Sequence, residues 1–226
     1  RSTCTDYVYS NTVIKEVVIN VTAGGTIGSD EENCGTFDPA QINNIVSPIG
    51  GADGFLIYQW EVSTDNGTTW TTISGATNEN YDPPSISITT QYRRNARRTP
   101  CTNWVSSNTI SKTVKPTTTA TISTFPTDTY LCDLTNYTFE ATNDGSGATY
   151  SWDFGSYATP QNATGLGPHI VQFDVPNNAF STYVTVTLTA YLNGCTDMDS
   201  KNFDIRPEIQ ITNVTSSNPG SCGSSD

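Results

Sequence analysis

The chain has 226 residues, 22 of them acidic and 10 lysine or arginine, for a net charge of −12 and an isoelectric point near 4.2. That balance excludes an electrostatic nucleic-acid binder, because neutralising phosphates takes clustered basic side chains, and no apolar run approaches the ~18 residues that insert as a membrane helix. Six cysteines beside one methionine point to an oxidising compartment, while recurrent turn residues without a sustained helical apolar period make the class all-β.

In chain order, the first informative stretch is Cys4-Thr5-Asp6-Tyr7-Val8-Tyr9-Ser10-Asn11-Thr12-Val13-Ile14-Lys15-Glu16-Val17. It lines up without gaps on Cys101 to Val114, with Cys-Thr, an aromatic, Val, Ser-Asn-Thr, Lys and Val at the same offsets. The interval from Cys4 to Cys101 is about one sandwich domain, so residues 1–22 read as the terminal strand of a preceding, truncated domain.

The first full domain spans 23–115. Gly24-Gly25 reads as a hinge and Ile42 to Val46 as an early strand. Leu56, Tyr58, Trp60 and Val62 alternate with Gln59, Glu61 and Ser63, the pattern of a strand with one buried face. Asp65-Asn66-Gly67 supplies positive-φ residues for a tight hairpin continuing to Trp70. A terminal hairpin pairs Gln91–Arg97 with Asn103–Val114 and turns at Thr99-Pro100-Cys101. Cys34 and Cys101 are the two cysteines inside this domain and are paired, a closure that restricts the unfolded chain by about 4 kcal/mol.

The second domain spans 116–206 and opens with Thr117-Thr118-Thr119. Tyr150, Trp152 and Phe154 share a face, and Val184, Val186, Leu188 and Ala190 point inward opposite Thr185, Thr187 and Thr189. Cys132 and Cys195 form its bridge. Residues 207–226 read as the start of a following, truncated domain, since Cys222-Gly223 repeats the setting of Cys34-Gly35. Cys4 and Cys222 are left without partners in the two domains.

Tyr58-Gln59-Trp60, Ser63 to Trp70, Ile73 to Thr77, Tyr81, Pro83 and Gln91-Tyr92-Arg93-Arg94 resemble the Ig-like repeats of giant surface proteins of Bacteroidota, the gliding-motility adhesins of SprB type. Tyr150-Ser151-Trp152-Asp153-Phe154-Gly155, Gly167-Pro168-His169 and Val184 to Thr189 resemble a PKD domain, with Gly155-Ser156-Tyr157 replacing the family's Gly-Asp-Gly. The resemblance implies tandem Ig-like and PKD-like antiparallel β-sandwiches in an elongated array, exported by the type IX system to the cell surface. It implies an adhesive stalk or spacer whose partners are neighbouring repeats, surface polysaccharide or the outer-membrane motility machinery.

Candidate chemistry is sparse. His169 is the sole histidine, no nucleophile elbow accompanies it, and no zinc spacing is present, so the expectation is a protein without catalytic function and without a cofactor. Asp30-Glu31-Glu32 offers hard oxygen ligands to calcium, but lacks the Asp-x-Asp-x-Asp-Gly pattern. Arg93, Arg94, Arg97 and Arg98 share one strand, where they either grip an acidic glycan or the acidic neighbouring domain or, the favoured reading, pair across the sheet with Glu61 and Asp65. Asn20, Asn66, Asn136, Asn162 and Asn213 begin Asn-x-Ser/Thr triplets that threonine-rich strands generate readily. Two further readings compete with the stalk. One is a carbohydrate- or protein-binding module using loop aromatics Trp70, Tyr81 and Tyr157; the other is a pilus-like subunit polymerising by strand addition of Tyr7–Val21 or through a Cys4 to Cys222 bridge.

Overall fold

The computed structural model describes residues 11–15, 17–176 and 180–207. Cys4, Tyr7, Tyr9, Asn213, Cys222 and nearly all of segment 207–226 lie outside the described residues. The chain divides into two units, 1–115 and 116–226, and every regular element among the described residues is a strand.

The first unit contains β1 (Thr26–Ile27), β2 (Glu31–Cys34), β3 (Asn44–Val46), β4 (Leu56–Ser63), β5 (Thr71–Thr72), β6 (Thr90–Arg98) and β7 (Val105–Lys115). Five of these form a sheet in the order β2-β7-β6-β4-β5. It is antiparallel except that β2 runs parallel to β7, from Glu31 opposite Lys112 to Cys34 opposite Lys115. β1 pairs with β3, and bridges from Phe37 to Ile86 and Ile42 to Tyr81 extend this second layer. The alternation in β4 buries Trp60 completely, and its indole N–H donates to the Asn78 carbonyl at 2.8 Å. Ile27, Ile42, Tyr92 and Ile110 close around it, with Tyr81 at 5.4 Å. A buried indole needs such an acceptor, because an unmade hydrogen bond in the core costs about 1–3 kcal/mol.

The second unit contains β8 (Ile122–Thr124), β9 (Leu131–Cys132), β10 (Asn136–Ala141), β11 (Thr149–Asp153), β12 (Ala158–Thr159), β13 (Asn162–Thr164), β14 (His169–Phe173), β15 (Thr182–Leu192) and β16 (Cys195–Arg206). One sheet runs β12-β14-β10-β8 and the other β13-β11-β15-β16-β9. Between them lies an aromatic core. Trp152 stacks on Phe154 at 5.5 Å, and Phe139 meets both rings as well as Phe173 and Phe203. Val184, Val186, Leu188 and Ala190 on β15 are buried, as the alternation requires.

The five-stranded sheets of the two units correspond strand by strand. β2, β7, β6, β4 and β5 match β9, β16, β15, β11 and β13, and in both units the short first member lies parallel to the last strand. This is an Ig-like arrangement. The backbone reproduces it in detail: Gly35 N–H donates to the Lys115 carbonyl at 2.9 Å, and Asp133 N–H to the Arg206 carbonyl at 3.0 Å.

Two local expectations are corrected. Gly24-Gly25 is a point of close approach rather than a hinge, since a Cβ on Gly24 would stand 2.4 Å from the Ser106 backbone and Gly25 has φ +76°. The β4–β5 connection is longer than a tight hairpin. Pairing ends at Ser63 and resumes with Thr71 opposite Val62, and Asn66 and Gly67 take φ of 57° and 80° within the loop. The loop is held by side chains instead: Ser63 Oγ accepts from Gly67 N–H at 2.9 Å, and Asp65 accepts from the Thr69 N–H at 2.9 Å and the Thr69 hydroxyl at 2.5 Å.

Candidate functional site

Each sandwich has two distinguishable poles. At the hairpin pole of the first, β6 turns into β7, and the segment ahead of the sandwich docks there. The Asn20 side chain donates to the Asn103 carbonyl at 2.7 Å and accepts from Arg98 N–H at 2.9 Å. At the exit pole, β7 finishes at Lys115 beside Cys34. The second sandwich repeats this: its opening segment is tied near the β15–β16 hairpin by Ala120 and Ile122 N–H groups donating to Asp197 and Asp199, each at 2.9 Å. Its last strand finishes at Arg206 beside Cys132.

This polarity overturns the expected disulfides Cys34–Cys101 and Cys132–Cys195. Cys101 and Cys132 are free thiols, whereas Cys34 and Cys195 are disulfide-bonded. The reason is the parallel pairing of β2 on β7 and β9 on β16. Cys34 sits opposite the final residue of an 11-residue strand, while Cys101 precedes its first residue. At ~3.3 Å per residue the two are more than about 30 Å apart. Cys132 sits opposite Arg206 and Cys195 begins the same 12-residue strand, a similar separation. A disulfide needs Cβ atoms within ~4.5 Å.

The acidic triplet closes β2 onto β7. Asp30 accepts from Ser111 N–H at 2.7 Å, Glu31 from the Lys112 ammonium at 2.8 Å and Ala40 N–H at 3.0 Å, and Glu32 from Lys115 at 2.6 Å. The Lys112 hydrogen bond, opposed by partial desolvation, holds the Glu31 carboxyl below its ordinary range. All three carboxylates are engaged with the chain, and no cluster of three metal-binding side chains occurs among the described residues.

The arginines of β6 divide between the two faces of the sheet. Arg93 lies opposite Glu61, bonds it at 2.6 Å and covers the Trp70 ring at 4.2 Å. Arg94, opposite Trp60, is fully buried; its guanidinium donates to the Glu79 carbonyl at 2.9 Å and the Gly24 carbonyl at 3.4 Å and lies 4.7 Å from the Tyr58 ring centre. Arg97 stacks on Trp104 at 4.6 Å and donates to the Cys101 carbonyl. Arg98 donates to the carbonyls of Gly50 and Gly54. Asp65 belongs to the loop and is not an arginine partner.

Two of the loop aromatics, Trp70 and Tyr81, pack against side chains of the first unit. Trp70 lies beneath Arg93, Tyr81 packs between Trp60 and Tyr92, and Tyr157 belongs to the second unit. His169 begins β14 and packs edge-on against Trp152 at 5.7 Å and Phe154 at 6.1 Å. A surface cleft of about 730 Å³ lies between the Asn143–Ser151 region and Thr164–Leu166, with Tyr191 on its wall. Beside it, Asp144 gathers the Ser146 hydroxyl and N–H, Thr119 N–H and the Thr118 hydroxyl, which hold its carboxyl far below the ordinary range. The Asn143-Asp144-Gly145-Ser146-Gly147 stretch carries a turn signature that sequence reasoning missed, whereas nothing local marks the Asn20 clamp or the polarity of the cysteines.

A family model described as a domain of unknown function (DUF8696) matches residues 23–116. No curated protein matches the chain. Among solved structures, the chain is similar to the FN1–FN3 domains of chicken CNTN1, with 12% identity and a TM-score of 0.33 over 82% of this chain and 65% of that one. It is also similar to Sidekick-1 immunoglobulin domains 1–4, with 11% identity and a TM-score of 0.38 over 85% and 49%. A third is the fibronectin(III)-like modules of Clostridium thermocellum CbhA, with 10% identity and a TM-score of 0.30 over 84% and 95%. The chain spans less than two thirds of the length of the first two. The Ig-like assignment rests on the sheet order described above.

Proposed function

We propose that this chain is a non-catalytic stalk segment of a long extracellular surface adhesin, of the kind its first sandwich resembles in Bacteroidota. One observation carries the reading. In each sandwich the incoming segment lies at the hairpin pole and the last strand finishes at the opposite pole, so the chain traverses every domain along its long axis. Domains built this way add reach when strung in succession. The leading segment supports the same reading. Residues 4–17 repeat 101–114, yet Val13 is 77% exposed while its counterpart Ile110 is 3% exposed. A side chain of the type that β7 buries belongs in another sandwich's sheet. Disulfide-bonded Cys34 and Cys195 support export to an oxidising compartment.

Small-angle X-ray scattering tests the stalk. Strands of 11 and 12 residues give sandwiches about 35–40 Å long, so two in succession have a radius of gyration of about 25 Å, against ~17 Å for one compact body of this chain length. A value near the compact one overturns the reading. The exposed leading segment also favours a second reading, strand addition into a neighbouring molecule; a scattering mass that rises with concentration under reducing conditions selects it.

A further inference from the structure

The four described cysteines occupy only two structural positions. Cys34 and Cys132 end the short strand that lies parallel to the exit of the last strand, opposite Lys115 and Arg206. Cys101 and Cys195 sit in the hairpin that leads into that strand. At each position one cysteine is disulfide-bonded and the other is a free thiol. Because the sandwich mate of each bonded cysteine is itself free, the bonds of Cys34 and Cys195 run outside residues 23–115 and 116–206 respectively. Both positions therefore form disulfides, and the bonds formed there leave the sandwich.

The distribution follows the direction of the chain. The bonded cysteines are the exit-pole cysteine of the first sandwich and the hairpin-pole cysteine of the second. The free ones belong to the remaining poles. Cys132 is exposed, and the Tyr137 hydroxyl fixes its backbone, accepting from Cys132 N–H at 2.7 Å and donating to its carbonyl at 3.1 Å. Cys101 is half-buried; its N–H donates to the Arg98 carbonyl at 2.8 Å, and its Sγ lies 3.6 Å from the Val18 carbonyl, on the segment arriving at that pole.

We propose that Cys101 and Cys132 are intermolecular or inter-repeat disulfide sites, each taking the cysteine at the complementary pole of another sandwich of this type. Cys101 pairs with an exit-pole cysteine and Cys132 with a hairpin-pole cysteine. This inference rests on the head-to-tail succession of the stalk reading and adds covalent staples to it. Formation of each bond removes two protons and two electrons from a pair of thiols. Glutathione disulfide or a protein disulfide oxidant accepts the electrons: one thiolate attacks the oxidant's disulfide and expels a thiolate, and the second thiol then resolves the mixed disulfide.

A second copy of the chain supplies the complementary pole, so the purified protein serves as its own probe. It is incubated in a glutathione redox buffer and read by non-reducing electrophoresis and mass mapping of linked peptides. The expected result is covalent oligomers carrying Cys101–Cys132 peptides between molecules. Cys101→Ser and Cys132→Ser alone contain no such peptide, and mixing the two variants restores it as a dimer. Thiols that stop at glutathione adducts, or that join Cys101 to Cys101 and Cys132 to Cys132, overturn the inference. An extended scattering profile without the Cys101–Cys132 bond removes the staples and leaves the stalk, whereas a compact profile removes the stalk reading itself.

Discussion

Arg94 shows at the residue scale how much a single side chain can be reassigned by its neighbours. From sequence it is one of four arginines on a strand. In the fold it alternates onto the Trp60 face and is fully buried, linking the Glu79 and Gly24 carbonyls beneath Tyr58. Replacing it with alanine removes the donors from both carbonyls and opens a cavity beside Trp60. We expect Arg94→Ala to lower the stability of the first unit by about 3–5 kcal/mol, the usual penalty for breaking a buried charged network. Chemical denaturation followed by tryptophan fluorescence checks it. Arg93→Ala, which breaks a partly exposed ion pair with Glu61, should cost about 1 kcal/mol or less. Equal losses for the two variants would contradict the placement of Arg94.

Among the elements, the β4–β5 loop couples its geometry to pH. The Thr69 hydroxyl and N–H, followed by the Ser63 hydroxyl, hold the Asp65 carboxyl down to about 2. A carboxyl whose folded value is depressed contributes stability above its unfolded value, and this is lost as pH falls through the folded value. Asp65 therefore contributes nothing to the pH dependence above about pH 5 and loses its contribution between about pH 4 and 2. Thermal melts from pH 7 to 2 should show the first unit's midpoint falling in that window, with a shallower fall in Asp65→Asn. An unchanged slope in the variant would mean that the loop carboxylate is not bonded as described. The same loop shows what was legible in the sequence: Asn66-Gly67 announced positive φ, which the loop has. Its length was not legible, because the bonds that define it run from the side chains of Ser63 and Asp65 to backbone several residues away.

At the scale of the molecule, the two units have separate cores around Trp60 and Trp152. Trp152→Ala removes an indole that is stacked on Phe154 and bonded to the Gly165 carbonyl at 2.9 Å, at a cost of about 3–5 kcal/mol. In reducing buffer, calorimetry should show the second unit melting earlier while the first unit's transition stays in place. A shift of both transitions together would show that the two units fold as one cooperative body.

The sequence by itself determined the class, the two tryptophan strands and the inward faces of β4 and β15, because period-2 alternation is a local pattern that burial must obey. It also displayed the repeat of Cys4–Val17 in Cys101–Val114. Only the tertiary structure decided which cysteines could meet. Two cysteines in one domain look like a pair until β2 and β9 lie parallel to the last strands, and strand direction in a sheet is fixed by long-range pairing rather than by any residue near the cysteine. That parallel register places the sulfurs at opposite poles, so each disulfide must leave the sandwich in which it begins.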